Sequence, residues 1–217
     1  MLLLVVACGD SSAPGTALDS GTVNRSDASV VDDTGDGDGD GDGDASEEHD
    51  ASQQPDGVDP QSLLPLAVGT SWTYETDRPV IQESGPCTAG YTVELVGIAQ
   101  VLGRSAYEAA SSCSDKPTYY SVSDGGVDGY VSGAVQDFVP VIAAPVIEGA
   151  TFQSNHLIFK WHELDSITVP AGTFHHCWER QHTNGTSPNS DTYCPGVGLV
   201  RSTRSTFAYV LTSYVIK

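Results

Sequence analysis

Residues Tyr119–Val131 read YYSVSDGGVDGYV and carry the clearest structural signal in the 217-residue chain. Two runs rich in Tyr and Val flank Asp124-Gly125-Gly126, and turn residues between such runs predict a β-hairpin. Similar alternating runs occur on both sides, for example Tyr91–Val96 and Phe207–Ile216, and turn residues recur about every ten positions. The pattern predicts an all-β domain: a curved antiparallel sheet, as a half-barrel or a sandwich.

Further short runs fit the same scheme, and none of them has the spacing of a long amphipathic helix. One segment is ambiguous, because Val135–Ile147 is apolar but is interrupted by Pro140 and Pro145. The other predicted strands are Ser71–Glu75, Ala106–Ser111, Leu157–Trp161, Ser166–Val169, His175–Arg180 and Gly198–Ser202.

Charge and aromatic residues divide the chain near Pro60. All nine Tyr, three Trp and five Phe follow this residue, and the formal net charge of −20 splits into −14 for residues 9–60 and −6 for residues 61–217. We therefore predict a disordered acidic tether at 9–60 and a β domain at 61–217. The absence of a basic patch argues against nucleic-acid binding, and no apolar run is long enough to span a bilayer as a helix.

The first eight residues resemble the end of a lipoprotein signal. Val5-Val6-Ala7-Cys8 resembles a bacterial lipobox, in which the cysteine sulfur receives a diacylglycerol. The apolar run is shorter than a secretory signal, so we expect the coding start to lie upstream. Lipidation at Cys8 would anchor the protein in the cell envelope, at the outer membrane or the cell surface. The alternative is a chance apolar start with an unmodified cysteine.

The cysteine count is consistent with lipidation. Without Cys8, an even set of four remains, namely Cys87, Cys113, Cys177 and Cys194. Three pairings are possible, of which Cys87–Cys113 with Cys177–Cys194 closes the shortest loops. Disulfides would indicate an oxidising compartment. The alternative is a Cys/His metal site, for which the usual CxxC spacing is missing.

The acidic segment contains a partial match to a calcium-binding loop. Asp36, Asp38, Asp40 and Glu47 fall at ligand positions of the EF-hand pattern. An Asp-Gly repeat matches this pattern by composition alone, and no amphipathic helix flanks it. We expect a solvated tether, with weak calcium binding as the alternative and no other cofactor.

Three sequence blocks occur in a fixed order in the predicted domain. They are Leu66-x-x-Gly69-x-x-Trp72-x-Tyr74, Val169-Pro170-Ala171-Gly172-Thr173-Phe174-x-x-Cys177, and Pro195–Val200. In this order the blocks resemble a group of uncharacterised bacterial envelope lipoproteins. The resemblance implies an exported β domain and no reaction.

Physical reasoning assigns these blocks a structural role. Gly172 and Gly198 suit tight turns or positive φ, and Pro170 suits a strand end. Trp72 and Phe174 are candidate core residues.

Histidines supply the remaining candidates for chemistry. On paired strands His162 and His176 could converge with Glu163 or Asp165 on a metal ion, although surface histidines are the simpler interpretation. The chain contains no HExxH, GxSxG or phosphate-binding motif.

We therefore expect a non-catalytic, monomeric, lipid-anchored envelope protein whose β domain binds a protein, glycan or apolar ligand. The alternatives are a periplasmic carrier of lipids or lipoproteins, which needs an apolar cavity, and a metal-dependent hydrolase, which needs converging His and carboxylates.

Overall fold

The structure is a computed structural model that describes residues 57–77, 90–184, 187–205 and 207–217. These residues form twelve β-strands and one short 3₁₀ helix, Pro60–Leu63. In the part of the chain that is described, no helix is long and apolar enough to cross a membrane. In chain order the strands β1 to β12 are Ser71–Thr76, Gly90–Val101, Arg104–Ser111, Ser114–Ser123, Gly126–Val131, Val139–Ala143, Thr151–Ser154, Leu157–Val169, Gly172–Asn184, Ser187–Cys194, Gly198–Thr203 and Ala208–Val215.

The strands form a single sheet in which every described pair is antiparallel. Their order is β6-β5-β4-β3-β2-β1-β12-β11-β10-β9-β8-β7, so the first and last strands lie side by side in the middle. The two edge strands, β6 and β7, are consecutive in the chain. The predicted fold class, an all-β curved antiparallel sheet, is confirmed.

The sheet curls until its two edges nearly meet. The Nε1–H group of Trp161 on β8 donates to the carbonyl oxygen of Ala143 on β6, at 3.3 Å. The guanidinium of Arg180 on β9 reaches across the interior and donates to the carbonyl oxygen of Val141. Side chains therefore link the two edges of a nearly closed barrel, and among the described residues no backbone ladder joins β6 to β7.

Alternation along the strands decides which side chains face the interior. On β1, Trp72 and Tyr74 are buried, whereas Ser71 before them and Thr73 between them are half-buried. This period of two is the one that the sequence predicted for a strand with one core face. Trp72 is a core residue as predicted, and Phe174 is half-buried.

The 3₁₀ helix covers one end of the barrel. Its first turn is capped by Asp59, whose Oδ1 accepts a hydrogen bond from the backbone N–H of Gln61. Leu63 is fully buried, and the carbonyl of Ser62 accepts from the N–H of Gly196 in the β10–β11 turn. We call this end, which also holds the turns at 102–103 and 124–125, the plug end. Val58 already bridges to Val146, slightly before the predicted domain start at residue 61.

The structure adds three strands that the sequence pattern did not predict. β6 contains Pro140, which lacks an N–H group, and an edge strand is where a sheet tolerates proline. β7 is only four residues long. β10 lacks apolar alternation because three of its buried residues, Ser190, Asp191 and Thr192, are polar. The two predicted strands at 157–161 and 166–169 are one continuous strand, β8.

Candidate functional site

The barrel interior is filled with aromatic side chains. Trp161 and Tyr193 are fully buried, and their rings meet edge to face with centroids 6.4 Å apart. Trp72 Nε1–H donates to the carbonyl oxygen of Val197 at 2.6 Å, and the Tyr74 hydroxyl donates to that of Leu199 at 3.0 Å. The polar tips of Trp72 and Tyr74 are thus satisfied while their rings pack in the core. The interior resembles a packed core more than a ligand chamber.

One small cavity lies under the plug. Leu64, Trp72, Tyr74 and Tyr120 contribute to its lining, and its volume is about 20 Å³. A water molecule needs roughly 10–15 Å³ measured in this way, so the cavity has room for one water. Pockets for drug-sized ligands measure roughly 300–1,000 Å³. An acyl chain does not fit this cavity.

Three charged residues form a cluster inside the barrel, which we call the interior ion cluster. Arg180 Nη2 lies 2.7 Å from Asp191 Oδ2, and Arg204 Nη2 lies 3.0 Å from Asp191 Oδ1. The hydroxyl of Ser202 also donates to Oδ1, at 2.6 Å. The register explains this meeting, because Asp191 on β10 lies opposite Arg180 on β9 and Ser202 on β11. Arg180, Asp191 and Ser202 therefore project from the same face of the sheet, and Arg204 follows directly after β11.

The cluster has one more positive than negative charge, and aromatic rings surround it. The guanidinium of Arg180 lies 4.8 Å from the ring centroid of Phe159 and 5.6 Å from that of Tyr193. Such cation–π contacts stabilise a buried cation. Arg180 Nε and the Tyr193 hydroxyl have no hydrogen-bond partner among the described residues.

The protonation states of the interior groups make acid–base chemistry there unfavourable. Burial alone would raise the pKa of Asp191, but Arg204 and Arg180, together with the Ser202 hydrogen bond, lower it to about 2. Burial raises the pKa of Tyr120 to about 12 and also raises that of Tyr193. A carboxylate that is this acidic is a poor base at neutral pH, and the tyrosines stay protonated. The cluster is suited to holding strands together.

The three sequence blocks meet at the plug end. Trp72 of the first block bonds to Val197 of the third, and a Cβ on Gly198 would lie 2.8 Å from Trp72 Nε1. Gly198 has φ of +104° and Gly172 has φ of +143°, as the sequence analysis predicted. The second block forms the β8–β9 turn, and its Ala171 N–H donates to the carbonyl of Leu211 on β12 at 3.0 Å. In this structure the blocks have packing roles.

The disulfide between Cys177 and Cys194 joins β9 to β10, with a Cα–Cα distance of 4.3 Å. It lies where β10 ends and the β8–β9 hairpin continues alone towards β12. This is one of the two predicted local pairings. Cys113 is also disulfide-bonded, and Cys87, its predicted partner, lies outside the described residues.

The two candidate metal-binding histidines contact different carboxylates. His162 Nδ1 lies 3.0 Å from Glu148 Oε1, and His176 Nδ1 lies 3.9 Å from Glu163 Oε1. The backbone N–H of Glu163 donates to Glu148, which lowers the pKa of that carboxyl group. No group of three or more His, Cys, Asp or Glu that could hold a metal occurs in the ranges that the structure describes. Each histidine takes part in a separate surface pair.

The remaining candidates lie outside the described residues. These are the proposed lipidation site Cys8 and the calcium candidates Asp36, Asp38, Asp40 and Glu47.

Exposed apolar side chains concentrate at the plug end. Of the eight large hydrophobic residues that are exposed in the described ranges, only Ile158 belongs to the opposite end of the barrel. The other seven are Val68, Val96, Ile98, Leu102, Val122, Tyr214 and Val215. A concentration of apolar side chains on one part of a surface is typical of an interaction site.

Comparison with known proteins gives little guidance on identity. No family model and no curated protein matches the chain. A Bacteroides fragilis protein, named as an exported protein with a YmcC-like fold, is 12% identical, with 70% of this chain and 97% of that one covered and a TM-score of 0.36. A Parabacteroides distasonis protein, named as a lipoprotein, has the same identity and coverage and a TM-score of 0.31. At these TM-scores neither structure carries an argument about function.

Sequence reasoning missed the interior ion cluster, although part of its signal was present. Trp178, Arg180 and His182 alternate along β9 and are all buried, so Arg180 shares the core face with an aromatic residue. A cation in phase with core residues predicts a buried partner. Nothing in the local sequence indicated that this partner is Asp191.

Proposed function

We propose that this chain is a lipid-anchored cell-envelope protein that binds a macromolecular partner on the outer surface of its β domain and does not carry a ligand inside. The observation that supports this function best is the filled interior. Trp161 and Tyr193 are fully buried and in contact with each other, and the cavity under the plug has room for one water. Contact with a partner is then left to the outer surface.

The envelope location is supported by the cysteines. A disulfide between Cys177 and Cys194 fits an oxidising compartment. The lipobox-like run before Cys8 and the acidic segment that follows it suit an anchored domain on a spacer. We place the protein at the outer membrane or the cell surface.

Titration with a fluorescent fatty acid tests the mode of binding. Because the cavity described under the plug has no room for an acyl chain, we expect no saturable uptake by the purified chain. The control is Trp161→Ala, which opens space in the core and is expected to admit the probe if its fold survives. Saturable uptake by the unmodified chain at one probe per molecule would contradict the proposal and favour the carrier function.

Metabolic labelling with palmitate tests the anchor. We expect label on the wild-type protein and none on Cys8→Ser, while the neighbouring Ser11→Ala keeps the label. Equal labelling of wild type and Cys8→Ser would remove the anchor from the proposal.

A further inference from the structure

The β2–β3 hairpin extends past the first residue of β1, so part of one edge of β2 has no partner strand among the described residues. β1 pairs with β2 from Gly90 to Glu94, and Gly69 and Thr70 add backbone bonds to Leu95. A turn closed by the bond from Thr70 N–H to the carbonyl of Ala67 then leads the chain away. From residue 96 to residue 101, no described residue pairs with β2 on that side.

The hairpin geometry shows which backbone groups face this edge. Leu102 and Gly103 form a two-residue turn with φ of +51° and +78°, so the flanking pair of Val101 and Arg104 exchanges backbone hydrogen bonds. In an antiparallel ladder such hydrogen-bonded pairs alternate with pairs whose backbone N–H and C=O groups point away from the partner strand. Counting back along β2 from the hydrogen-bonded pair at Val101 shows which residues belong to the other kind of pair. They are Gln100 and Ile98, whose N–H and C=O groups therefore point towards the open side.

Beyond a β-bulge between Leu95 and Gly97, this edge lacks the charged residues and prolines that usually protect an exposed strand. Residues 95–103 contain no charged residue and no proline. Ile98 is 60% exposed and Leu102 is 55% exposed. Natural sheets usually protect such an edge with lysine, proline or a covering segment, because an uncharged apolar edge pairs readily with another strand.

We propose that this edge pairs with the same edge of a second copy of the chain, as an antiparallel two-fold dimer. If Ile98 lies opposite Gln100 of the second copy, all four outward N–H and C=O groups of each chain bond across the interface. The two-fold axis then passes between the two Ala99 residues, whose small side chains suit the close spacing of a pair without hydrogen bonds.

The same register matches side chains by size and charge. Val101 lies opposite Gly97 of the second copy, so a large side chain meets a position without one. A Cβ on Gly97 would meet no described atom within 4 Å, so the space beside it is open. No like charges oppose each other along the edge, which makes the strand complementary to itself. The proposal does not depend on the lipid anchor.

Sedimentation equilibrium of the full chain carrying Cys8→Ser tests the dimer without any lipid. At concentrations on the order of 100 μM, since small interfaces bind weakly, we expect twice the monomer mass of 22.7 kDa. Ile98→Lys should give the monomer mass, because it places two like charges near the axis. Ile158→Lys, which changes a 70% exposed isoleucine at the other end of the barrel, should stay dimeric.

Two further variants keep the test decisive if Ile98→Lys folds poorly. Gln100→Pro removes only an N–H that faces the open edge and should also give a monomer. Ala99→Cys should form an intermolecular disulfide on mild oxidation, whereas Ala110→Cys, an exposed position on β3, should not. A monomeric parent chain would overturn the proposal, and so would a dimer that survives Ile98→Lys and Gln100→Pro without cross-linking through residue 99.

Discussion

Asp191 is the residue on which the interior depends most. It is 3% exposed, and its two carboxylate oxygens contact Arg180 on β9, Ser202 on β11 and Arg204 just after β11. A buried ion pair contributes little net stability relative to a well-packed apolar core, but removal of one partner leaves an uncompensated charge. The cluster therefore fixes the register of β9, β10 and β11.

Asp191→Asn should lower the free energy of unfolding by about 3–5 kcal/mol, because it leaves two buried arginines without a counter-ion. Urea denaturation followed by tryptophan fluorescence measures this change. Asp128→Asn removes the more exposed pair with Arg104 and should lower it by less than about 1 kcal/mol. Equal losses in the two variants would contradict the role given to the cluster.

The stability of the protein should also fall in acid in a defined range. The pKa of Asp191 is lowered from 3.8 to about 2 in the folded protein, so between these values the unfolded chain binds more protons. This carboxylate therefore contributes about 2 kcal/mol above roughly pH 4, and the contribution is lost as the pH falls towards 2. Denaturation midpoints measured across this range should decline more steeply for the wild type than for Asp191→Asn.

At the scale of elements, the β8–β9 hairpin shows how a long excursion from the sheet is held. The Cys177–Cys194 disulfide fixes its base, and the bond between Ala171 and Leu211 fixes its tip on β12. Phe174 packs edge to face against Tyr214 on the same strand, with centroids 6.0 Å apart. The hairpin thus ties β8 and β9 to the middle of the sheet.

Replacement of Cys177 and Cys194 together by alanine should lower the free energy of unfolding by about 3 kcal/mol, because the bridge closes a loop with a sequence separation of 17. Thermal denaturation of the double variant, compared with the wild type under oxidising and reducing conditions, measures the change. A wild type whose stability is unchanged by the reductant would contradict this expectation.

Gly198→Ala should be more harmful than an ordinary glycine substitution. Its φ of +104° strains any L residue, and the added Cβ would lie 2.8 Å from Trp72 Nε1, so we expect a loss of about 2–4 kcal/mol. Gly103→Ala is the matched control, because its φ is also positive and its surroundings are open, so strain alone should lower stability by about 1 kcal/mol. Chemical denaturation of both variants separates the two effects.

The sequence predicted those elements whose burial follows apolar alternation. The β4–β5 hairpin was predicted correctly because its turn residues and its Tyr and Val runs both favour a hairpin. β10 was missed because its core-facing position 191 carries an aspartate, whose burial depends on Arg180 on β9 and on Arg204 beyond the end of β11. The unpaired edge of β2 could not be predicted from the sequence either, since it depends on where β1 begins relative to β2.

For the whole molecule, the position of β12 between β1 and β11 makes the last strand essential. Deletion of residues 208–217 removes the partner of β1 and divides the sheet into two parts. We expect the truncated chain to lose its cooperative thermal transition and to become sensitive to limited proteolysis. Deletion of Ile216 and Lys217 alone removes one described hydrogen bond, from Lys217 N–H to the Thr70 hydroxyl, and should leave the transition in place.

The adjacency of β1 and β12 also sets an order of events during synthesis. Residues 71–76 are made before β2 to β11, whereas the residues that pair with them, 209–215, are made after those strands. The two edge strands, β6 and β7, are by contrast consecutive in the chain and are made one directly after the other. The two halves of the sheet can therefore join only after β12 has been made, so folding of this domain waits for residues 208–215.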